Sequence, residues 1–203
     1  MSLGCVWQKT THYQVLALSE THCRGDGPSI LKSLEEYRLD NSDRSGGAKK
    51  GGGLSIYYKK SLNAHPWKPE VIDTYKYVEN ERQWLLIEGE GGQKMAFLHC
   101  YIACQSYVSN DFLRWNRDLF QMMTIEALQL REEGYIILAM GDFNSHVGQI
   151  HGLEGNKPQV NDNEPMFTGF IEEVNLSIIN TLPLCDKVFT FLKGIGQALL
   201  TMV

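Results

Sequence analysis

Tyr135-Ile136-Ile137-Leu138-Ala139-Met140-Gly141-Asp142-Phe143-Asn144 is the stretch on which the fold turns. Its unbroken apolar run is what a strand covered on both faces requires, and a glycine closes it. The run delivers a carboxylate, Asp142, and an amide, Asn144, just past the strand's carboxyl end, where α/β proteins collect their chemistry.

Upstream of that strand, Phe112, Trp115, Leu119, Met122, Met123 and Leu130 recur at helical spacing and predict a long helix that stops at Gly134, a residue suited to a left-handed cap. The aromatic and Met side chains there read as core. Before the helix, Trp84 to Glu88 and Met95 to Ala103 are apolar runs joined by the glycine-rich Gly89-Glu90-Gly91-Gly92-Gln93-Lys94, which predicts an antiparallel hairpin. Nearer the start, Tyr13 to Ser19 predicts a buried strand that ends at Glu20. Pro28, followed by Ile30, Leu31, Leu34 and Tyr37 on one face, predicts a helix that ends before Asp40. A polar, glycine-rich loop from Asn41 to Gly53 leads into a strand over Leu54 to Tyr58.

Downstream, His146 to Glu164 is polar and turn-rich, and Phe167, Phe170, Ile171 and Val174 mark a shorter helix. Leu176 to Asn180 and Lys187 to Leu192 read as strands. No internal repeat or low-complexity tract interrupts this order. Hairpins mixed with strand-helix-strand units predict an α/β architecture with mixed sheets and helices over the sheet faces.

The 203 residues fit a single domain, and 43% hydrophobic with 21% charged residues is an ordinary globular balance. A formal net charge of -5 gives no general attraction for polyanions, so nucleic acid would need a local basic surface. Arg44, Lys49, Lys50, Lys59 and Lys60 are the candidates, with a solvated loop and strand end as the plainer reading. The five cysteines are odd in number and lack paired C-x-x-C spacing, which argues for a reducing compartment and core thiols at Cys100 and Cys104. With neither a membrane-spanning apolar run nor a secretory leader pattern, the expectation is an intracellular protein, nuclear or cytoplasmic, without a membrane partner.

Glu20 and Asp142 each sit just past an apolar strand. A carboxylate there is costly to desolvate unless paired, hydrogen-bonded or bound to a cation; it either caps a turn or helps to hold a hard metal. Mg²⁺ suits such oxygen donors better than Zn²⁺, which prefers histidines at defined spacing.

Ser19-Glu20-Thr21-His22 resembles the Gln-Glu-Thr-His element of the endonuclease/exonuclease/phosphatase family, and Gly141-Asp142-Phe143-Asn144 matches that family's Gly-Asp-Phe-Asn element unaltered. Gly52 to Ile56 with Lys59 to Leu62, Leu98 to Ala103, Asn163 to Phe170 and Ile178 to Thr181 resemble further family segments in family order. The pattern is most similar to the endonuclease domains of non-LTR (LINE-type) retrotransposons. The resemblance implies a DNase I-like four-layer α/β sandwich, two mixed sheets flanked by helices. It also implies Mg²⁺ (or Mn²⁺ in its place) held by Glu20, and an attacking water oriented or deprotonated by Asp142. Asn144 would hold the scissile phosphate and Tyr101 would contact it, although the proline that normally follows that tyrosine is missing from Tyr101-Ile102-Ala103-Cys104. His22 and His146 fall nearby as orienting groups, and Lys49, Lys50, Lys59 and Lys60 as DNA contacts. DNA is the implied partner, within a larger polyprotein that carries a reverse transcriptase.

Set against the family, residues 1–203 lack the first strand with its metal-assisting Asn and the closing Ser-Asp-His segment. Ala198 and Thr201 stand where the family has Ser and a metal-linked Asp. Loss of a general base lowers a rate by about 10²- to 10⁴-fold. Three readings therefore stand: a Mg²⁺-dependent DNA-nicking endonuclease, impaired by these losses; an inactive remnant that binds DNA or protein; and a phosphoesterase for a small phosphate or lipid headgroup.

Overall fold

A strand buried on both faces needs cover above and below, and among the described residues two sheets and two α-helices provide it. The computed structural model describes residues 14–19, 21, 34–39, 53–70, 81–103, 111–145 and 161–178. In the first sheet β1 (Val15–Ser19), β2 (Glu35–Leu39) and β3 (Leu54–Tyr58) lie in the order β1-β3-β2, antiparallel throughout. In the second, β4 (Ala64–Trp67), β5 (Arg82–Glu88) and β6 (Lys94–Tyr101) are antiparallel neighbours, and β7 (Ile136–Asp142) joins β6 in parallel. Helix α1 (Asp111–Glu132) makes the crossover that a parallel pair requires, and α2 (Glu164–Val174) packs against it. The chain is thus α/β, with one antiparallel and one mixed sheet.

Side chains alternate across a strand, and on β5 and β6 both directions are filled. Trp84, Leu86, Ala96, Leu98 and Cys100 face the helices, where they meet Leu119, Phe120, Met123, Leu130 and Phe170. Leu85, Ile87 and Phe97 face the first sheet and meet Ile56, Val15 and Ala17. Burial of one such side chain stabilises by about 1.5–3 kcal/mol, so these two strands carry most of the packing. Among the described residues no helix is long and apolar enough to cross a membrane.

Both described α-helices end the same way. Gly134 (φ +87°) donates its N–H to Arg131 O at 2.9 Å, and Tyr135 N–H reaches Leu130 O at 2.9 Å. Asn175 (φ +54°) repeats the pattern with Glu172 O at 3.1 Å, while Leu176 reaches Ile171 O at 2.8 Å. These paired bonds satisfy carbonyls that a helix end leaves open, and Gly and Asn are the residues that tolerate the left-handed turn.

Two sequence expectations need correction, and one strand was not foreseen. Residues 35–39, read as the end of a helix, form β2, with Tyr37 opposite Ile56. The open edge of β3 overrides local helix preference: Glu36 Oε1 accepts hydrogen bonds from Ser55 Oγ at 3.2 Å and Tyr57 OH at 2.7 Å. Residues 28–33 lie outside the described part. Strand β4 had no counterpart in the sequence reading; its Pro66 sits on an outer strand of the sheet, where a missing N–H is tolerated. Leu176 to Ile178 form no strand, because the cap at Asn175 has just turned the chain out of α2. The strand proposed over 187–192 lies outside the described residues.

Candidate functional site

The site begins with a missing side chain. On β6 and β7, Cys100 lies opposite Gly141 and Tyr101 opposite Asp142. Gly141 has φ +146°, and a Cβ there would stand 2.0 Å from Cys100 O. Only glycine lets the two backbones meet at this point, and their contact sets Asp142 beside Tyr101 at the carboxyl ends of two parallel strands. The ladder continues one step further through Ile102 N–H, which donates to Asp142 O at 2.8 Å.

Past the strand, the chain folds back on itself. Asn144 (φ +43°) donates its backbone N–H to Asp142 Oδ1 at 3.1 Å, a turn that fixes the carboxylate, and its Nδ2 donates to Ile102 O at 2.8 Å. The carbonyl of Asn144 in turn accepts from Asn161 Nδ2 at 2.6 Å and Asn163 Nδ2 at 3.0 Å. Asn163 Nδ2 also reaches Ala103 O at 3.3 Å, and Asn116 Nδ2 donates to Ala103 O at 3.0 Å and to Asn163 Oδ1 at 2.7 Å. Four asparagines from β7's exit, α1 and the start of α2 thereby lock the ends of β6 and β7 together. Asn163 stands at the N-cap of α2 but makes no side-chain cap hydrogen bond. It forgoes about 1 kcal/mol of helix capping to bridge the two strand exits. Among the described residues, Asn116 Oδ1 and Ser145 Oγ are buried with no hydrogen-bond partner.

A second polar chain links the two sheets. His99 is buried on β6; its Nδ1 lies 3.0 Å from Gln83 Nε2 and its Nε2 3.0 Å from Ser19 Oγ on β1. Gln83 can only donate through that nitrogen, so Nε2 of the ring carries the proton and donates to Ser19. Burial pushes the His99 pKa down to about 3, so the ring is neutral near pH 7. The contact brings the carboxyl end of β1 to the same end of the sandwich as Asp142.

The charge around Cys100 identifies one more acid. Burial pushes this thiol far up, and Asp142 and Glu81 push it further, so both carboxylates lie within electrostatic reach of one sulfur. Glu81 itself is buried. The softer donors are thus withdrawn from metal chemistry: Cys100 stays protonated and both ring nitrogens of His99 are engaged. Among the described residues, the donors left near Asp142 are oxygens, the type that suits Mg²⁺. Among the described residues, no group of three or more His, Cys, Asp or Glu could hold a metal ion.

The structure brings Asp142, Asn144 and Tyr101 together. Glu20, His22, His146, Lys49 and Lys50 lie outside the described residues; of Glu20's neighbours, Ser19 meets His99 and Thr21 N–H donates to Gly53 O at 3.2 Å. Lys59 and Lys60 are not brought to the site. They follow Tyr58, which pairs with Val15 at the opposite end of β1 from Ser19, and Lys60 pairs with Glu35 at 3.4 Å. Sequence reasoning missed Asn116, Asn161, Asn163 and His99. Asn116 could have been found as an amide on the core face of α1, one turn before Leu119 and Phe120.

Comparison with the models of known protein families finds no family that matches this chain, and comparison with curated proteins finds no significant match.

Proposed function

We propose that the chain is a Mg²⁺-dependent phosphodiesterase, best read as a DNA-nicking endonuclease resembling those of non-LTR retrotransposons, built on a four-layer DNase I-like sandwich. The observation that carries this reading is the pairing of Tyr101 with Asp142 at the ends of adjacent parallel strands, with Asn144 folded back beside them. A tyrosine, a carboxylate and an amide converge there on one strand-end corner, a group set suited to a phosphodiester. In this reading Asp142 orients or deprotonates the attacking water, Asn144 uses its remaining amide hydrogen to hold the phosphate, and Tyr101 contacts it. Glu20 would hold the ion. When bound, Mg²⁺ or Mn²⁺ supplies charge neutralisation at the phosphoryl oxygens. DNA is the proposed substrate, and a reverse transcriptase the proposed companion on the same polyprotein.

Relaxation of supercoiled plasmid tests it. Nicking is expected with Mg²⁺, is lost on addition of EDTA, and falls about 10²- to 10⁴-fold in Asp142→Ala. Intact plasmid at high protein and metal, with duplex DNA still retained on the protein, would instead favour an inactive binding module. Faster hydrolysis of a small phosphomonoester than of DNA would move the substrate to that class.

A further inference from the structure

Asn163 occupies an unusual place. It is buried to 1% exposure at the start of α2, and its amide points away from the helix it precedes. One nitrogen serves two carbonyls, Ala103 after β6 and Asn144 after β7, while its oxygen accepts from the buried Asn116 of α1. Asn144 in turn holds Asp142 Oδ1 through its backbone N–H. A path of hydrogen bonds therefore runs from α1 and α2 to the carboxylate, and each step is at normal hydrogen-bond length. Asn161 adds a second, separate tie to the same Asn144 carbonyl at 2.6 Å.

We propose that Asn163 is a positioning residue for the reaction at Asp142, acting through the carbonyl and N–H of Asn144, with Asn161 as an auxiliary tie. The inference rests on the hydrolase reading for its kinetic consequence, but the positioning itself has a separate readout. Without Asn163, the exits of β6 and β7 lose their only shared side-chain donor among the described residues. The Asp142–Asn144 turn then samples orientations in which its carboxylate is misaligned with the phosphate. Misplacement of an outer supporting group lowers turnover rather than substrate binding, by about 10- to 100-fold.

The test pairs plasmid nicking with amide hydrogen exchange in Asn163→Ala. The expected result is a turnover reduced about 10- to 100-fold with KM for DNA little changed, together with faster exchange at Ile102 and Asn144 but not at Trp84 or Leu98. Unchanged turnover, a change confined to KM, or a uniform rise in exchange would overturn the proposal. Should Asn163→Ala not fold, Asn161→Ala, at a half-buried position before α2, is expected to show the same pattern with a smaller amplitude, and its absence would overturn the proposal equally. If the wild type cleaves no DNA, the nuclease reading fails; exchange at Ile102 and Asn144 then decides the positioning alone, selective acceleration upholding it and no acceleration rejecting it.

Discussion

Arg82 and Gln83 are consecutive on β5 and solve opposite problems on the two faces of one sheet. Arg82 points to the helix side, where Nε donates to Glu126 Oε2 at 2.7 Å and Nη2 to Glu126 Oε1, with Trp84 Nε1 donating to Glu126 Oε2 at 2.8 Å. Gln83 points to the sheet side and begins the neutral Gln83–His99–Ser19 chain. The first tie is ionic and joins sheet to helix; the second is uncharged and joins sheet to sheet. A buried ion pair is tolerated only where a fork of donors meets both carboxylate oxygens, as here; where geometry offers only single bonds, a neutral imidazole bridges at lower desolvation cost.

The comparison breaks most visibly at Glu126. Glu126→Ala takes away the carboxylate that meets the guanidinium of Arg82, a residue only 5% exposed, and is expected to lower unfolding free energy by about 3–5 kcal/mol in urea titration, whereas Arg82→Met with Glu126→Leu should recover most of that loss. The neutral tie should reveal itself through pH. Because the folded His99 pKa is about 3, below the ordinary value of 6.5, the unfolded chain binds more protons between those pH values. Stability contributed by the neutral ring is complete above pH 6.5 and is lost as pH falls toward 3, by roughly a few kcal/mol in all. The difference in stability between wild type and His99→Gln, measured from pH 7 down to pH 4, should shrink accordingly; a difference independent of pH would reject the neutral-ring assignment.

At pH 7.5, His99→Phe removes the bridge while it keeps the ring volume, and leaves Gln83 and Ser19 without it. The expected loss is about 1–3 kcal/mol, smaller than for Glu126→Ala because no charge is stranded. The smallest effect belongs to Lys60, whose side chain is 62% exposed beside Glu35 at 52%. Lys60→Ala should change stability by less than about 1 kcal/mol, and added salt should erase even that.

Much of this was legible in the sequence, and the exceptions share a cause. Periodicity and apolar runs found β1, β3, β5, β6, α1, β7 and α2, because each buries a face whose spacing is written locally. Gly134 was legible as a cap for the same reason. The strand at Glu35–Leu39 was not, since its helix-like pattern is decided by the vacant edge of a strand that comes later in the chain. At the site, Asp142, Asn144 and Tyr101 were legible as residue types at strand ends. The asparagines that hold them were not, because Asn116, Asn161 and Asn163 meet only when α1 and α2 dock. Long-range hydrogen bonds leave no periodic trace.

The crossover through α1 also gives the protein an order of assembly. As the chain emerges during synthesis, β5 and β6 can zip as a local hairpin at once, but β7 can be added only after 22 residues of helix have formed and swung across the sheet. Asp142 should therefore reach Tyr101 late, and pulse-labelled refolding is expected to protect Phe97, whose N–H faces β5, before Ile102, whose N–H is held by Asp142. A lesion that merely slows α1 would leave a nascent chain with its hairpin in place and its chemistry not yet built.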